Sequence, residues 1–564
     1  MLLLLCFGLT PAQSQDEQPL KYEFRAVWLT TAAGLDWPTT TDPLQQQQSL
    51  RSIVKTIHDE HFNAIFFQVR PRGDAYYAST HEPWAENLTG VMGRNPGWDP
   101  LAYLIDQAHA AGIEVHAWFN VFKIHSNNSV PVSEDHPLRK FPQWSFRYQG
   151  EDWMDPGYPG VRNYTAGVIL DLVRKYDIDG INLDYMRYPG SDVPDDRSYA
   201  QYGRSTPRDE WRAKNVDDFV SAVYDSVMAC KPWVKVGSSP VGAIGTSLDR
   251  SSSGTLRKYA QDAPLWLRNG KQDYIAPQLY WTINGTKTTS GFSSLLERWR
   301  RWAGDRHVYA GIAAYKPEVM KQVQDQIAAA RAFGAEGEAF FRYQNVREYC
   351  LTHTLYRYPA LVPPMPWKAS KINPPPGVLA VSETRPGVFE LEWNTAAEAR
   401  TYVVYRSAAH APSLDDPRNI LAVLPSSTTA WVDSISSPRA ATYFYAVTSR
   451  DGGNNESGNA ALAEGTIREA KALANAFPKK FDLQISRADT TSARVLVVYR
   501  NPEPGPVKVE VVSRTEKLQN VKAETVLEGA QPAGVHFIEV DASRGSSGAV
   551  RLTSRSLTLE RAIP

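Results

Sequence analysis

Tyr176-Asp-Ile-Asp-Gly-Ile-Asn-Leu-Asp-Tyr-Met-Arg-Tyr-Pro189 holds, in order, a polar turn, a buried strand and a loop rich in aromatic and charged residues. Side chains of a strand alternate between its two faces, so Gly180, Asn182 and Asp184 share one face, opposite Asp179, and Asp184 stands at the strand's end. Asp177 and Asp179 sit at the strand's start, where a turn or cap is the expected job. Apolar runs of this kind recur along the chain, at Phe24–Leu29, Ala64–Val69, Glu114–Phe119, Val234–Gly237, Tyr274–Leu279, Val308–Ile312 and Glu338–Phe341. Amphipathic segments separate them. Asp42-Pro43 and Asp99-Pro100 each supply a cap and a first-turn proline, and Leu50, Ile53, Val54 and Ile57, then Leu101, Leu104, Ile105 and Ala108, follow at helical spacing. Eight strands alternating with helices across residues 21–358 predict a closed (β/α)8 TIM-type barrel. No Gly-x-Gly-x-x-Gly turn follows the first strand, which argues against a doubly wound sheet.

On either side of that block the composition changes. Met1–Thr10 is an apolar run too short to span a bilayer, with small residues after it, so residues 1–15 are read as an export signal. Pro359, Pro363, Pro364, Pro366 and Pro374-Pro375-Pro376 predict a stiff linker over residues 359–376. Short alternating runs then follow, among them Val388–Trp393, Thr401–Tyr405 and Thr442–Val447, ahead of Asp451-Gly-Gly-Asn-Asn-Glu-Ser457. They predict a β-sandwich over residues 377–468 that resembles a fibronectin type III module, and residues 476–564 read as a further small β-rich domain. The whole is therefore expected to be a barrel followed by all-β sandwich modules.

Lys plus Arg and Asp plus Glu both number 61 in the 564 residues. No net field exists to gather a phosphate backbone, which excludes nucleic acid as an expected partner on charge. No segment outside the signal is apolar enough to span a membrane. The three cysteines, Cys6, Cys230 and Cys350, have neither metal-ligand nor disulfide-framework spacing. No His-x-x-x-His or His-Glu pair appears, so neither metal nor cofactor is expected.

In a barrel of this type the C-terminal ends of the strands form the active mouth, which puts Asp184 there. A carboxylate in that place can protonate a glycosidic oxygen or stabilise an oxocarbenium-like transition state. The structural alternative is an Asp that pairs with Arg187 to hold the loop.

Phe24-Arg-Ala-Val-Trp-Leu-Thr-Thr31, the run from Phe62 to Tyr77, Glu82-Pro-Trp84, His116-Ala-Trp-Phe-Asn120, Asp179–Pro189 and Ala276-Pro-Gln-Leu-Tyr-Trp281 together resemble the glycosyl-hydrolase-like family 10 catalytic domain. The resemblance runs in order over nearly the whole barrel. It implies an exported bacterial enzyme, periplasmic, outer-membrane-associated or extracellular, that acts on a polysaccharide, with peptidoglycan glycan strands the favoured substrate. Family 18 chitinases carry Asp-Gly-x-Asp-x-Asp-x-Glu on their fourth strand. Laid on Asp179-Gly-Ile-Asn-Leu-Asp-Tyr-Met186, that pattern leaves Met186 where the chitinase acid stands. Asp184 must then lead, or another strand must supply the acid. Asp74 is the first candidate for a second carboxylate, followed by Glu338, Glu82 and Asp155.

Polar residues at strand ends are candidates to bind sugar hydroxyls: Arg25, Gln68, Arg70, His116, Asn120, Gln278 and Tyr280. A lone strand histidine such as His116 is as readily a core residue. Trp84, Trp98, Trp118, Trp144, Trp153 and Trp281 are candidate stacking platforms, half of them expected only to pack the core or loops, and Tyr185 and Arg187 flank Asp184. Two functions remain in view: a glycoside hydrolase anchored or spaced by its β-modules, and a glycan-binding protein with a catalytically silent barrel.

Overall fold

The computed structural model describes residues 19–126, 132–243, 258–286, 289–369, 373–385, 387–435 and 442–467, and seven strands between residues 482 and 562. The expected export signal and Cys6 lie outside the described residues. Eight parallel strands close into a barrel: β1 Phe24–Leu29, β2 Ala64–Arg70, β3 Glu114–Asn120, β4 Gly180–Asp184, β5 Lys235–Ser238, β6 Tyr274–Ile275, β7 His307–Ala313 and β8 Gly337–Phe341. Each pairs with the next in sequence, and β8 returns to β1 with Phe24 opposite Gly337. The expected barrel is therefore present, with every strand found within a few residues of its predicted place. β6 is the exception in length. It ends four residues before the predicted Leu279 because Pro277 has no N–H to continue the ladder.

The helices begin as their sequences predict. The Asp42 carboxylate accepts from Gln45 N–H and that of Asp99 from Ala102 N–H, each with proline in the first turn. Leu50, Ile53, Val54 and Ile57 are buried against the outer face of the strands. Inside the barrel lie Phe24, Ala26, Trp28, Phe66, Trp118, Tyr274, Tyr309 and Ala339. Phe24 stacks on Tyr309 at 3.8 Å between ring centroids. Two strand glycines make room for this layer. A Cβ on Gly180 would stand 2.4 Å from the His116 ring, and one on Gly237 would stand 2.3 Å from the Tyr274 ring.

Residues 359–369, read from sequence as part of a linker, belong with the barrel unit. Leu361 N–H donates to Lys21 C=O at 2.7 Å, and Val362 and Met365 join the interior layer. Their prolines stiffen a segment whose apolar side chains are buried. Between β3 and β4 an antiparallel sheet of three short strands is inserted, in the order Lys123–His125, Glu151–Met154, Ser145–Tyr148. Strands of three and four residues are too short to announce themselves by alternation.

Beyond the barrel, Leu379–Arg385, Val388–Trp393 and Ala430–Ser434 form one antiparallel sheet, and Ile420–Pro425, Thr401–Ser407, Thr442–Arg450 and Ala461–Thr466 form another. The seven strands after residue 482 form a further pair of sheets, of three and four strands. No helix among the described residues is long and apolar enough to cross a membrane. Among the same residues no cluster of His, Cys, Asp and Glu could hold a metal ion.

Candidate active site

Asp184 closes β4 opposite Asn120 of β3, and its carbonyl accepts from Val121 N–H at 2.8 Å. The two residues that share its face point inward. Gly180 faces the His116 ring, and Asn182 Oδ1 accepts from Ser239 Oγ at 2.7 Å. That parity brings the Asp184 side chain to the mouth. Its Oδ1 accepts from Tyr185 N–H at 2.7 Å and from Gln278 Nε2 at 3.4 Å. No described cation forms an ion pair with it, and the residue is only 6% exposed.

Burial without a countercharge disfavours the ionised form, and it pushes the Asp184 carboxyl up to about 6. The Tyr185 N–H, the charge of Arg187, the nearby Trp118 indole and Lys123 each work in the opposite direction and do not overcome it. The Trp118 Nε1–H makes no fully formed hydrogen bond, so its contribution is the weak one of a donor close by. Tyr185 sits at φ +51°, a left-handed conformation that a non-glycine residue adopts at about 1–3 kcal/mol. The turn aims its N–H at the carboxylate.

Aromatic and charged groups wall the mouth. On one side Tyr185 meets the Trp153 ring at 5.7 Å, Lys123 Nζ lies 4.8 Å from the Tyr185 centroid, and Lys123 is paired with Glu151. The Arg187 guanidinium lies over the same Tyr185 ring. On the other side Phe341 contacts Trp118 edge-on and stacks on Tyr280, and Tyr315, which is 44% exposed, packs on both Phe341 and Tyr280. Sequence reasoning names Trp153 among the stacking candidates but does not single out Lys123, Phe341 or Tyr315. Phe341 alone carries a readable signal, since it ends β8 as Asp184 ends β4.

The remaining expected residues fall elsewhere or are engaged. Arg70 does reach inward from β2, but it is fully buried. It forms a two-pronged ion pair with Glu82 at 2.5 and 2.6 Å and donates to the carbonyls of Asn120 and Val121. It braces β2 to β3, and the same pair removes Glu82 as a free carboxylate. Gln68 Oε1 accepts from Thr31 and Ala32 N–H, holding the loop after β1. His116 is locked between Tyr274 Oη and Glu114 Oε2, each at 3.0 Å, deep in the interior layer.

Arg25 and Glu338 are opposite each other in register and lie on the outer face, because Phe24, Ala26 and Ala339 occupy the inner one. Arg25 binds Glu23 and Tyr358 C=O, and Glu338 accepts from Tyr356 Oη. Burial, with the charge of Glu23, holds the Glu338 carboxyl well above the usual range, so it is a buried acid far from its expected role. Asp74 Oδ1 accepts from Arg72 N–H in the loop after β2, while its buried Oδ2 has no described hydrogen-bond partner and lies 3.9 Å from the Arg72 guanidinium. Asp155 is pushed up to about 6 by burial, yet the Ser198 hydroxyl and Gly157 N–H engage its two oxygens. Asn120 donates to Pro71 C=O and leaves Oδ1 without a partner beside Asp184. Trp281 packs against the outer core. The structure thus gathers Asp184, Trp118, Asn120, Tyr185, Arg187, Gln278 and Tyr280.

The family described as Glycosyl hydrolase-like 10 matches residues 23–328. The chain is 32% identical to the glycosyl hydrolase YngK of Bacillus subtilis (strain 168) over 479 residues, 77% of this chain and 92% of that one. It is 32% identical to the glycosyl hydrolase DigH of Escherichia coli (strain K12) over 339 residues, 54% of this chain and 74% of DigH. Among solved structures, the PgaB (BpsB) glycoside hydrolase domain of Bordetella bronchiseptica aligns over 58% of this chain and 96% of its own, at 16% identity and a TM-score of 0.44. From the span of that match and the length of the relatives covered, this chain belongs to the glycosyl hydrolase-like 10 family.

Proposed function

We propose that the protein hydrolyses glycosidic bonds of a polysaccharide at the barrel mouth, with Asp184 as the general acid. One observation carries the reading: a buried carboxyl at the end of β4, paired with no cation among the described residues and held at about 6. An acid works best when its pKa lies near the working pH, because it is then both protonated and willing to give the proton up. Asp184 would donate to the glycosidic oxygen, while the aromatic walls hold pyranose rings on their faces. Glu82 is paired with Arg70 and Glu338 lies on the outer face, which leaves Asp74, whose buried Oδ2 has no described hydrogen-bond partner, as the first candidate for its partner. Attack on the anomeric carbon would fall to Asp74, to water or to a group carried by the substrate itself.

Peptidoglycan glycan strands are the substrate we favour, on the family and on the expected export of the chain to the cell envelope. The two sheets of residues 377–468, of three and four strands, support reading that region as a fibronectin type III module that spaces or anchors the barrel. The test is to incubate the protein with peptidoglycan, its peptide-stripped strands and other polysaccharides, and to identify products by mass. Cleavage that disappears in Asp184→Asn supports the enzyme. Binding without cleavage of any glycan supports a silent, glycan-binding barrel, which the pairing of Glu82 with Arg70 and the outer-face position of Glu338 also favour.

A further inference from the structure

Arg187 stands three residues after Asp184 and is half-buried. Its guanidinium lies 5.2 Å from the Tyr185 centroid, 5.1 Å from that of Tyr259 and 5.9 Å from that of Trp153. Three rings thus surround the cation. Among the described residues it makes no hydrogen bond and no ion pair, unlike Arg70, Arg25 and Arg212, which are each matched to a carboxylate. The neighbouring Lys123 is already neutralised by Glu151. Tyr185 links the two groups: its N–H donates to Asp184 and its ring lies under Arg187, whose charge acts on the carboxyl.

A guanidinium with no described hydrogen-bond or ion-pair partner keeps its N–H fork open, and that fork matches the two oxygens of a carboxylate. Ring contacts have already fixed the side chain, so little conformational freedom is lost when the anion arrives. A single unmatched cation suits a single negative charge. We propose that Arg187 is a specificity-determining residue that binds a carboxylate on the sugar beside the bond presented to Asp184, so the natural glycan is an acidic one. The placement of that bond rests on the reading of Asp184 as the acid.

The carboxylate has two chemical sources, a ring acid as in uronic sugars or an ether-linked acid arm. Hyaluronan oligosaccharides represent the first and peptide-stripped peptidoglycan strands the second. Each is compared with its carboxyl-reduced counterpart. Calorimetric binding to full-length Asp184→Asn protein should favour the acid form of one pair at least tenfold, about 1.4 kcal/mol. Adding Arg187→Gln should bring that preference below threefold, and Arg187→Lys, which keeps the charge but loses the fork, should retain part of it. Equal affinity for acid and reduced forms in both pairs overturns the proposal, as does a preference that survives Arg187→Gln in protein that melts normally. Cleavage by the wild type is scored separately. Acid preference without any cleavage defeats the enzyme reading and leaves carboxylate recognition standing, whereas cleavage of acid and reduced forms alike does the reverse.

Discussion

Replacing Asp184 by Asn should damage catalysis and strengthen the fold, and the two effects have one cause. The carboxyl rises from 3.8 to about 6 in the folded chain. That is about two units, and at about 1.4 kcal/mol per unit the ionised form burdens the folded state by about 3 kcal/mol above pH 6. The sign follows from linkage. A raised carboxyl binds its proton more tightly when folded, so its contribution is fully present below 3.8 and is lost as pH rises through 6. Asn keeps an oxygen for the Tyr185 N–H and the Gln278 amide but cannot ionise. At pH 7.5 the variant should therefore be about 1–3 kcal/mol more stable than the wild type, a rise of a few degrees in melting temperature, and the gain should vanish by about pH 4. Hydrolysis should fall at least a hundredfold, about 2.7 kcal/mol, and wild-type kcat/KM should decline as pH rises above about 6. The assay pairs product release from the cleaved glycan with thermal melts from pH 4 to pH 7.5. A variant that is destabilised equally at both ends of that range, or that cleaves within tenfold of the wild-type rate, would refute the argument.

Trp118→Phe removes an indole N–H that helps hold Asp184 down. The alkaline limb of the kcat/KM profile should therefore move to higher pH, and a limb that stays in place or moves down would show that the indole does not act on the acid. Glu82→Gln leaves Arg70 buried without its countercharge and should cost about 3–5 kcal/mol by chemical denaturation, whereas an oligosaccharide affinity lost without any loss of stability would place Arg70 at the substrate instead. Gly180→Ala forces a methyl against the His116 ring and should destabilise by about 1–3 kcal/mol, so unchanged melting would mean that the interior layer yields more easily than its packing indicates.

Much of the site is legible in the amino-acid sequence because β4 carries a mixed pattern. Its inner residues, Gly180, Asn182 and Asp184, are small or polar, and its outer ones, Ile181 and Leu183, are apolar, so alternation alone shows which way Asp184 points. The caps at Asp42 and Asp99 are equally local, each settled by a side chain and an N–H three residues on. β1 and β8 offer no such contrast. Both faces of a parallel barrel strand are buried, so Phe24-Arg-Ala-Val and Gly337-Glu-Ala-Phe leave the phase of Arg25 and Glu338 open until the barrel closes. Whether an inward polar residue is available to substrate is likewise a tertiary matter. Arg70 is engaged by a glutamate twelve positions away and by two carbonyls of β3 and the residue beyond it, and Arg187 is left open by rings drawn from three separate segments. Sequence by itself determined the strands, their order and the place of Asp184, because period and capping are short-range. Tertiary structure alone decided which neighbours are engaged and which remain free to meet a ligand, because those pairings form only when residues distant along the chain are brought together.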